Sequence, residues 1–153
     1  MYQKMLVPLD RSEFAECSLA HAKAIANGCQ IPEVILLHVI EPTPQANVIA
    51  NELGEDFMKN VDKEYKMKTE KYLSKIVDDF RDAGISATAE LVSGTADSEI
   101  LEYAKKNNVD LIIMSTHGNS GIVRWAMGSV ADRVVRHSPV PVLVAAPKAC
   151  RIS

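Results

Sequence analysis

Two stretches of this chain, Val34-Ile35-Leu36-Leu37 and Leu111-Ile112-Ile113-Met114, are apolar at every position, and that constrains the fold more than any other feature. A strand with one face in water alternates polar and apolar side chains, whereas a strand that never alternates needs cover on both faces. The cover is helical and the sheet beneath it parallel. Three more short apolar runs bring the predicted strands to five, at residues 4–9, 34–40, 86–92, 110–114 and 140–145. Four segments of helical periodicity separate them in a βαβαβαβαβ order. The expected fold class is α/β: a single-domain, open, parallel five-stranded sheet with helices on both faces.

The helices carry recognisable ends. Ser12 is placed to cap the first, with Phe14, Cys17, Leu19, Ala20 and Ala24 facing inward and Asn27-Gly28 as its stop. The second spans residues 55–83, with Phe57, Val61, Tyr65, Tyr72, Ile76 and Phe80 near four-residue spacing and Gly84 as its stop. Asp97 or Ser98 caps the third, and Ser129 caps the fourth, which Ser138-Pro139 ends. Residues 42–53, opened by Pro42-Thr43-Pro44-Gln45, read as one long irregular connection, either a surface connector or a lid.

At 153 residues the chain suits one domain, residues 1–147, with a short tail at 148–153. A net charge of −3 and a pI near 5.8 give no electrostatic reason to bind nucleic acid or an anionic membrane surface. No apolar run approaches spanning length, and Tyr2-Gln3-Lys4 leads straight into a strand, so a soluble, cytoplasmic protein is expected. Cys17, Cys29 and Cys150 are odd in number and lack a CxxC pair, which speaks against a disulfide framework and a zinc site.

In open parallel sheets, ligands bind beyond the carboxyl ends of the strands, where the chain reverses its direction of travel. Two strand ends here carry polar sets: Val7-Pro8-Leu9-Asp10-Arg11-Ser12 and Met114-Ser115-Thr116-His117-Gly118, the latter followed after nine residues by Gly128-Ser129. For both to line one crevice, the first and fourth strands must be neighbours, which favours the order 3-2-1-4-5 over 2-1-3-4-5. Gly118, Gly121 and the Gly128-Ser129 helix start could cradle a phosphate through backbone N–H groups, or could be an ordinary loop and cap. Spacing alone leaves both open. No GxxxxGK[ST] or GxGxxG is present. Asp10 suits a ribose hydroxyl, a base edge or a divalent ion, and equally suits capping the first helix with Ser12. His117 could donate to phosphate or bond local backbone, Arg124 could neutralise phosphate or lie on the surface, and Trp125 could meet a partner or cover the loop. His38 reads as a satisfied histidine of the second strand. No nucleophile elbow, Cys–His pair or strand-end carboxylate pair is evident, so a binding module fits better than an enzyme.

The segment Ser115-Thr116-His117-Gly118, nine residues, Gly128-Ser129-Val130, then Val134 and Ser138-Pro139-Val140-Pro141-Val142-Leu143-Val144 resembles the universal stress protein family, and the likeness extends over nearly the whole chain. The nucleotide-binding branch of that family carries a G-x-x-G, nine residues, G-[S/T] pattern. Gly118 and Gly128 align with two of its glycines, and Ser115 stands where the first is usual. The resemblance implies a Rossmann-like domain of the adenine nucleotide alpha hydrolase type that binds ATP, with or without Mg²⁺. It implies Pro8, Asp10 and Val39 at the adenine and ribose end, with Met114 and Ser115 flanking. Gly118, Gly128, Ser129 and Val130 would then hold the phosphates, with His117, by its own place between Thr116 and Gly118, a further candidate there. It further implies a homodimer and a role in stress survival or signalling, with at most slow hydrolysis. The apolar edge strand at 140–145 offers a physical route to that dimer.

Overall fold

The computed structural model describes residues 1–116 and 127–146. The apolar runs become strands β1 (Lys4–Pro8), β2 (Glu33–Ile40), β3 (Ala87–Ser93), β4 (Leu111–Ser115) and β5 (Val142–Ala145). They form one sheet in the order β3-β2-β1-β4-β5, and every neighbouring pair is parallel. The chain therefore steps outward from β1 to β3, crosses back and continues from β4, which makes β1 and β4 the switch point. Asp110 locks this pair at its start: its carboxylate accepts from the Gln3 and Lys4 N–H groups at 2.7 and 3.1 Å.

Period-two alternation divides the strand side chains between two cores. Met5, Val7, Leu36 and Ile113 point to one face, where α1 (Glu13–Cys29) and α3 (Glu55–Asp82) pack with Ala22, Leu73 and Phe80. Leu6, Ile35 and Ile112 point to the other, beneath Ile100 of α4 (Ala96–Lys106) and Val134 of α5 (Ser129–His137). Both faces are covered, as the unbroken apolar runs require.

Several local expectations are corrected. The buried stripe of α1 is Ala15, Ser18, Ala22 and Ala26; of the expected residues Leu19 packs half-buried against the same core, whereas Ala20 and Ala24 are exposed. Small side chains set a close helix–sheet approach here, and the larger ones flank it. Ser12 does cap α1, its Oγ accepting from Ala15 N–H at 3.0 Å, but the helix runs past Gly28 and ends at a left-handed Gln30. Residues 42–53 are not irregular throughout: after the Thr43–Ala46 turn a helix, α2 (Ala46–Leu53), runs to Gly54, whose φ of +90° breaks it from α3. α4 is preceded by Thr95, with neither Asp97 nor Ser98 acting as cap. Gly128, not Ser129, is the N-cap of α5, with Ser129 its first helical residue. β5 begins at Val142 rather than Val140, because Ser138 and Val140 close a local turn through the Ser138 hydroxyl and the flanking prolines have no N–H to offer a ladder. Cys29 is exposed and free, whereas Cys17 is disulfide-bonded, contrary to the expectation drawn from the odd count and missing CxxC pair that disulfides play no part; sequence spacing does not reveal which cysteines a fold brings together. No helix among the described residues is long and apolar enough to cross a membrane.

Candidate functional site

A cavity of about 370 Å³ opens beyond the carboxyl ends of β1, β2 and β4, the size range of small-molecule sites. Pro8 and Asp10 reach it from β1 and the turn after it, Val39 from β2, Met114 and Ser115 from β4, and Gly128, Ser129 and Val130 from the start of α5. These eight residues were named from the sequence. His117 and Gly118, with Gly121, Arg124 and Trp125, lie outside the described residues. Pro8, Val39, Met114 and Val130 give the cavity apolar walls, and polar groups enter it from the ends of β1, β2 and β4, from α3 and from the α5 start.

Asp10 has a local task. Its Oδ1 accepts from the Ser12 N–H at 3.0 Å and from the Ser12 hydroxyl, so the carboxylate orients the side chain that caps α1 while its own residue lines the cavity. Both sequence readings of Asp10 therefore have a physical basis. Arg11 follows with a left-handed backbone at φ +67°, which turns the chain from β1 into the helix. Left-handed non-glycine residues among those described are Arg11, Gln30 and Asn108, so Ser115 occupies ordinary backbone space, and the steric cost of replacing a left-handed glycine does not arise.

Two helices begin at the cavity, and they begin differently. Ala96, first residue of α4, donates its N–H to Glu41 Oε1 at 2.7 Å, so a carboxylate already sits on that positive helix end. α5 carries no side-chain cap; its N-cap Gly128 donates to the Thr116 carbonyl at 2.7 Å, and Thr116 N–H bonds Ala145 at 3.0 Å. The α5 start is thus held against β4 and β5, with its N–H groups not consumed by a cap.

The opposite wall contains residues that the sequence patterns did not single out for the site. His38, only 2 % exposed, makes two bonds: Nδ1 to the Leu9 carbonyl at 2.8 Å and Nε2 to the Tyr65 hydroxyl at 3.0 Å. A carbonyl only accepts, so Nδ1 carries the proton, and Nε2 accepts from Tyr65. Burial pushes the His38 pKa below its ordinary 6.5, outweighing the Leu9 bond that favours the charged form. Tyr65 comes from α3, and Arg11 lies over its ring at 5.3 Å while donating to Thr69 Oγ1 at 3.3 Å. Glu41, Tyr65 and Ala96 were missed because each joins the site through contacts distant in sequence. Among the described residues, no group of three or more His, Cys, Asp or Glu is arranged to hold a metal ion.

A doubly wound α/β domain with a ligand-sized cavity at its switch point is the class these features define. The universal stress protein family model matches residues 1–146, and the chain belongs to that family. It is similar to the universal stress protein MJ0577 of Methanocaldococcus jannaschii, with 32 % identity over 154 residues covering 94 % of each chain. The solved structure of MJ0577 superposes with a TM-score of 0.82 at 33 % identity, covering 95 % of this chain and 96 % of that one. A universal stress protein of Archaeoglobus fulgidus, solved in complex with dAMP, shares the fold at 20 % identity, with a TM-score of 0.65 over 94 % of this chain and 97 % of that one.

Proposed function

We propose that the cavity binds an adenine nucleotide, with ATP as the preferred form, and that the protein works in the cytoplasm as a nucleotide-responsive stress or signalling module. The observation that carries this reading is the meeting, in one cavity at the switch point, of eight motif residues from three strand ends and one uncapped helix start. The helix start of α5 suits the phosphates, with Ser129 and Val130 donating N–H groups while the Gly128 N–H stays on Thr116, and with the dipole favouring negative charge. Glu41 makes the α4 start unsuited to the same task. The base and ribose then lie at Pro8, Asp10 and Val39, with Met114 and Ser115 flanking. His117 and Gly118 would complete the phosphate end, and Mg²⁺ would accompany the phosphates rather than a dedicated protein cage. The Archaeoglobus complex supports the reading at the level of the fold, since that universal stress protein holds dAMP. No catalytic residue is assigned.

A homodimer is part of the reading. β5 is the sheet edge after β4, and its strand Val142–Ala145, whose outer side pairs with no other strand among the described residues, would take a second copy in antiparallel register. Calorimetric titration of the full chain with ATP, with and without Mg²⁺, is expected to give saturable binding; absence of heat up to millimolar nucleotide would overturn the reading. Ser115→Gly is expected to change affinity by no more than a few fold. Binding that arises only after that substitution would mean that Ser115 closes the pocket and that the native protein is a nucleotide-independent interaction module.

A further inference from the structure

The geometry points to Tyr65 as the residue that selects the base, an assignment that rests on the nucleotide reading above: its hydroxyl oxygen accepts a hydrogen bond from an exocyclic amine, favouring an amino purine over a keto purine. The strand order sets where the base must lie. β2 and β4 flank β1, and with adjacent strands about 4.8 Å apart their ends are separated by about 10 Å. Phosphates at the α5 start beside β4 therefore leave the base at the β2 side. That side is walled by His38, Val39 and Glu41 of β2 and its end, the last with its carboxylate engaged by the Ala96 N–H, and by Tyr65, the residue that α3 contributes.

The proton positions on this wall are determined by the hydrogen bonds. Leu9 offers a carbonyl, so His38 must donate from Nδ1 and can only accept at Nε2. The single hydroxyl proton of Tyr65 is committed to that nitrogen, which leaves the phenolic oxygen as an acceptor. Arg11 occupies a face of the Tyr65 ring, and Thr69 Oγ1, itself fully buried, donates to the Tyr65 carbonyl at 2.8 Å. The tyrosine is thereby held in place from its backbone, ring and hydroxyl. A base amine meets a waiting lone pair there. A keto oxygen at the same position meets a second acceptor, which costs both the bond and the desolvation of the two oxygens.

The test uses the full chain and three nucleotides: ATP, inosine triphosphate, which carries a keto group in place of the amine, and purine riboside triphosphate, which has neither. The unmutated protein is expected to bind ATP about tenfold more tightly than either analogue, the range of one hydrogen bond formed or left unmade. Tyr65→Phe keeps the ring and should bring ATP down to the level of purine riboside triphosphate, with little change for the latter. Equal affinity of the native protein for ATP and inosine triphosphate overturns the assignment, as does a preference that survives Tyr65→Phe in a variant whose melting curve shows it folded. Failure of the native protein to bind any of the three overturns the nucleotide reading itself, and the base selection with it.

Discussion

The two halves of α3 share one helical period and have opposite fates. In the C-terminal half Leu73 and Phe80 are completely buried and Ile76 nearly so, packed on the face of the sheet that α1 shares. In the N-terminal half Phe57 is 47 % exposed, Val61 43 % and Tyr65 39 %. α2, which packs beside that half, buries no residue at all. The difference teaches that a four-residue apolar spacing reports the phase of a helix and not what lies opposite it. The helix overhangs the strand ends, so the same stripe that meets the sheet at Leu73 meets the cavity mouth at Tyr65 and solvent at Phe57.

The comparison is broken most directly in the core. Phe80→Ala empties a fully buried site beneath the sheet and should destabilise the protein by about 3–5 kcal/mol. Phe57→Ala removes the same atoms from a half-exposed position and should cost at most about 1 kcal/mol, since about half of that side chain already faces water. Chemical denaturation of the two variants measures both. Equal losses would mean that the N-terminal half is as deeply packed as the C-terminal half.

A smaller effect sharpens the boundary between the halves. Tyr65 is the residue of the exposed half that is tied to the sheet, through His38. Because the folded His38 titrates below its ordinary 6.5, the unfolded chain binds the extra proton first as pH falls. Stability is therefore complete above pH 6.5 and declines below it, by no more than about 1.4 kcal/mol per pH unit for one group, until the folded-state pKa is reached. Asp10 and Arg11 face the same imidazole with opposite signs and partly offset each other. Protonated His38 can no longer accept from Tyr65, so amide exchange in residues 55–68 should quicken more than in residues 69–82 over the same range. His38→Gln should remove the slope; a slope that persists unchanged would place the titrating group elsewhere.

What the sequence made legible follows the same division. The unbroken apolar runs define the strands because burial on both faces leaves no other pattern, and the polar sets after β1 and β4 make those strands neighbours. The phase of α1 was misread because its contact stripe is alanine and serine, small residues that carry little hydrophobic signal yet allow the closest approach. α2 was hidden by Pro42 and Pro44, which mark an irregular entry and say nothing of the eight residues that follow. At the site, Pro8, Asp10, Ser115 and Gly128 were legible because motif spacing holds them within a few residues of a strand or helix end. The Glu41–Ala96 and His38–Tyr65 bonds join residues 55 and 27 positions apart, and no local pattern announces such pairs.

The smallest expected effect tests the exposed stripe itself. Val61→Thr keeps the β-branched shape and a similar helix propensity while adding a hydroxyl to a side chain that water already reaches, so stability should change by no more than about 0.5 kcal/mol. Were the stripe covered in solution, the new hydroxyl would be buried without a partner and the cost would rise to about 1–3 kcal/mol. Thermal melts at several protein concentrations separate the cases. A small shift that is independent of concentration leaves the N-terminal half of α3 as an overhang that meets solvent. A large shift, joined to a melting temperature that climbs with concentration, would show that a second copy covers Phe57 and Val61, and the contrast between the two halves of α3 would hold only for the isolated chain.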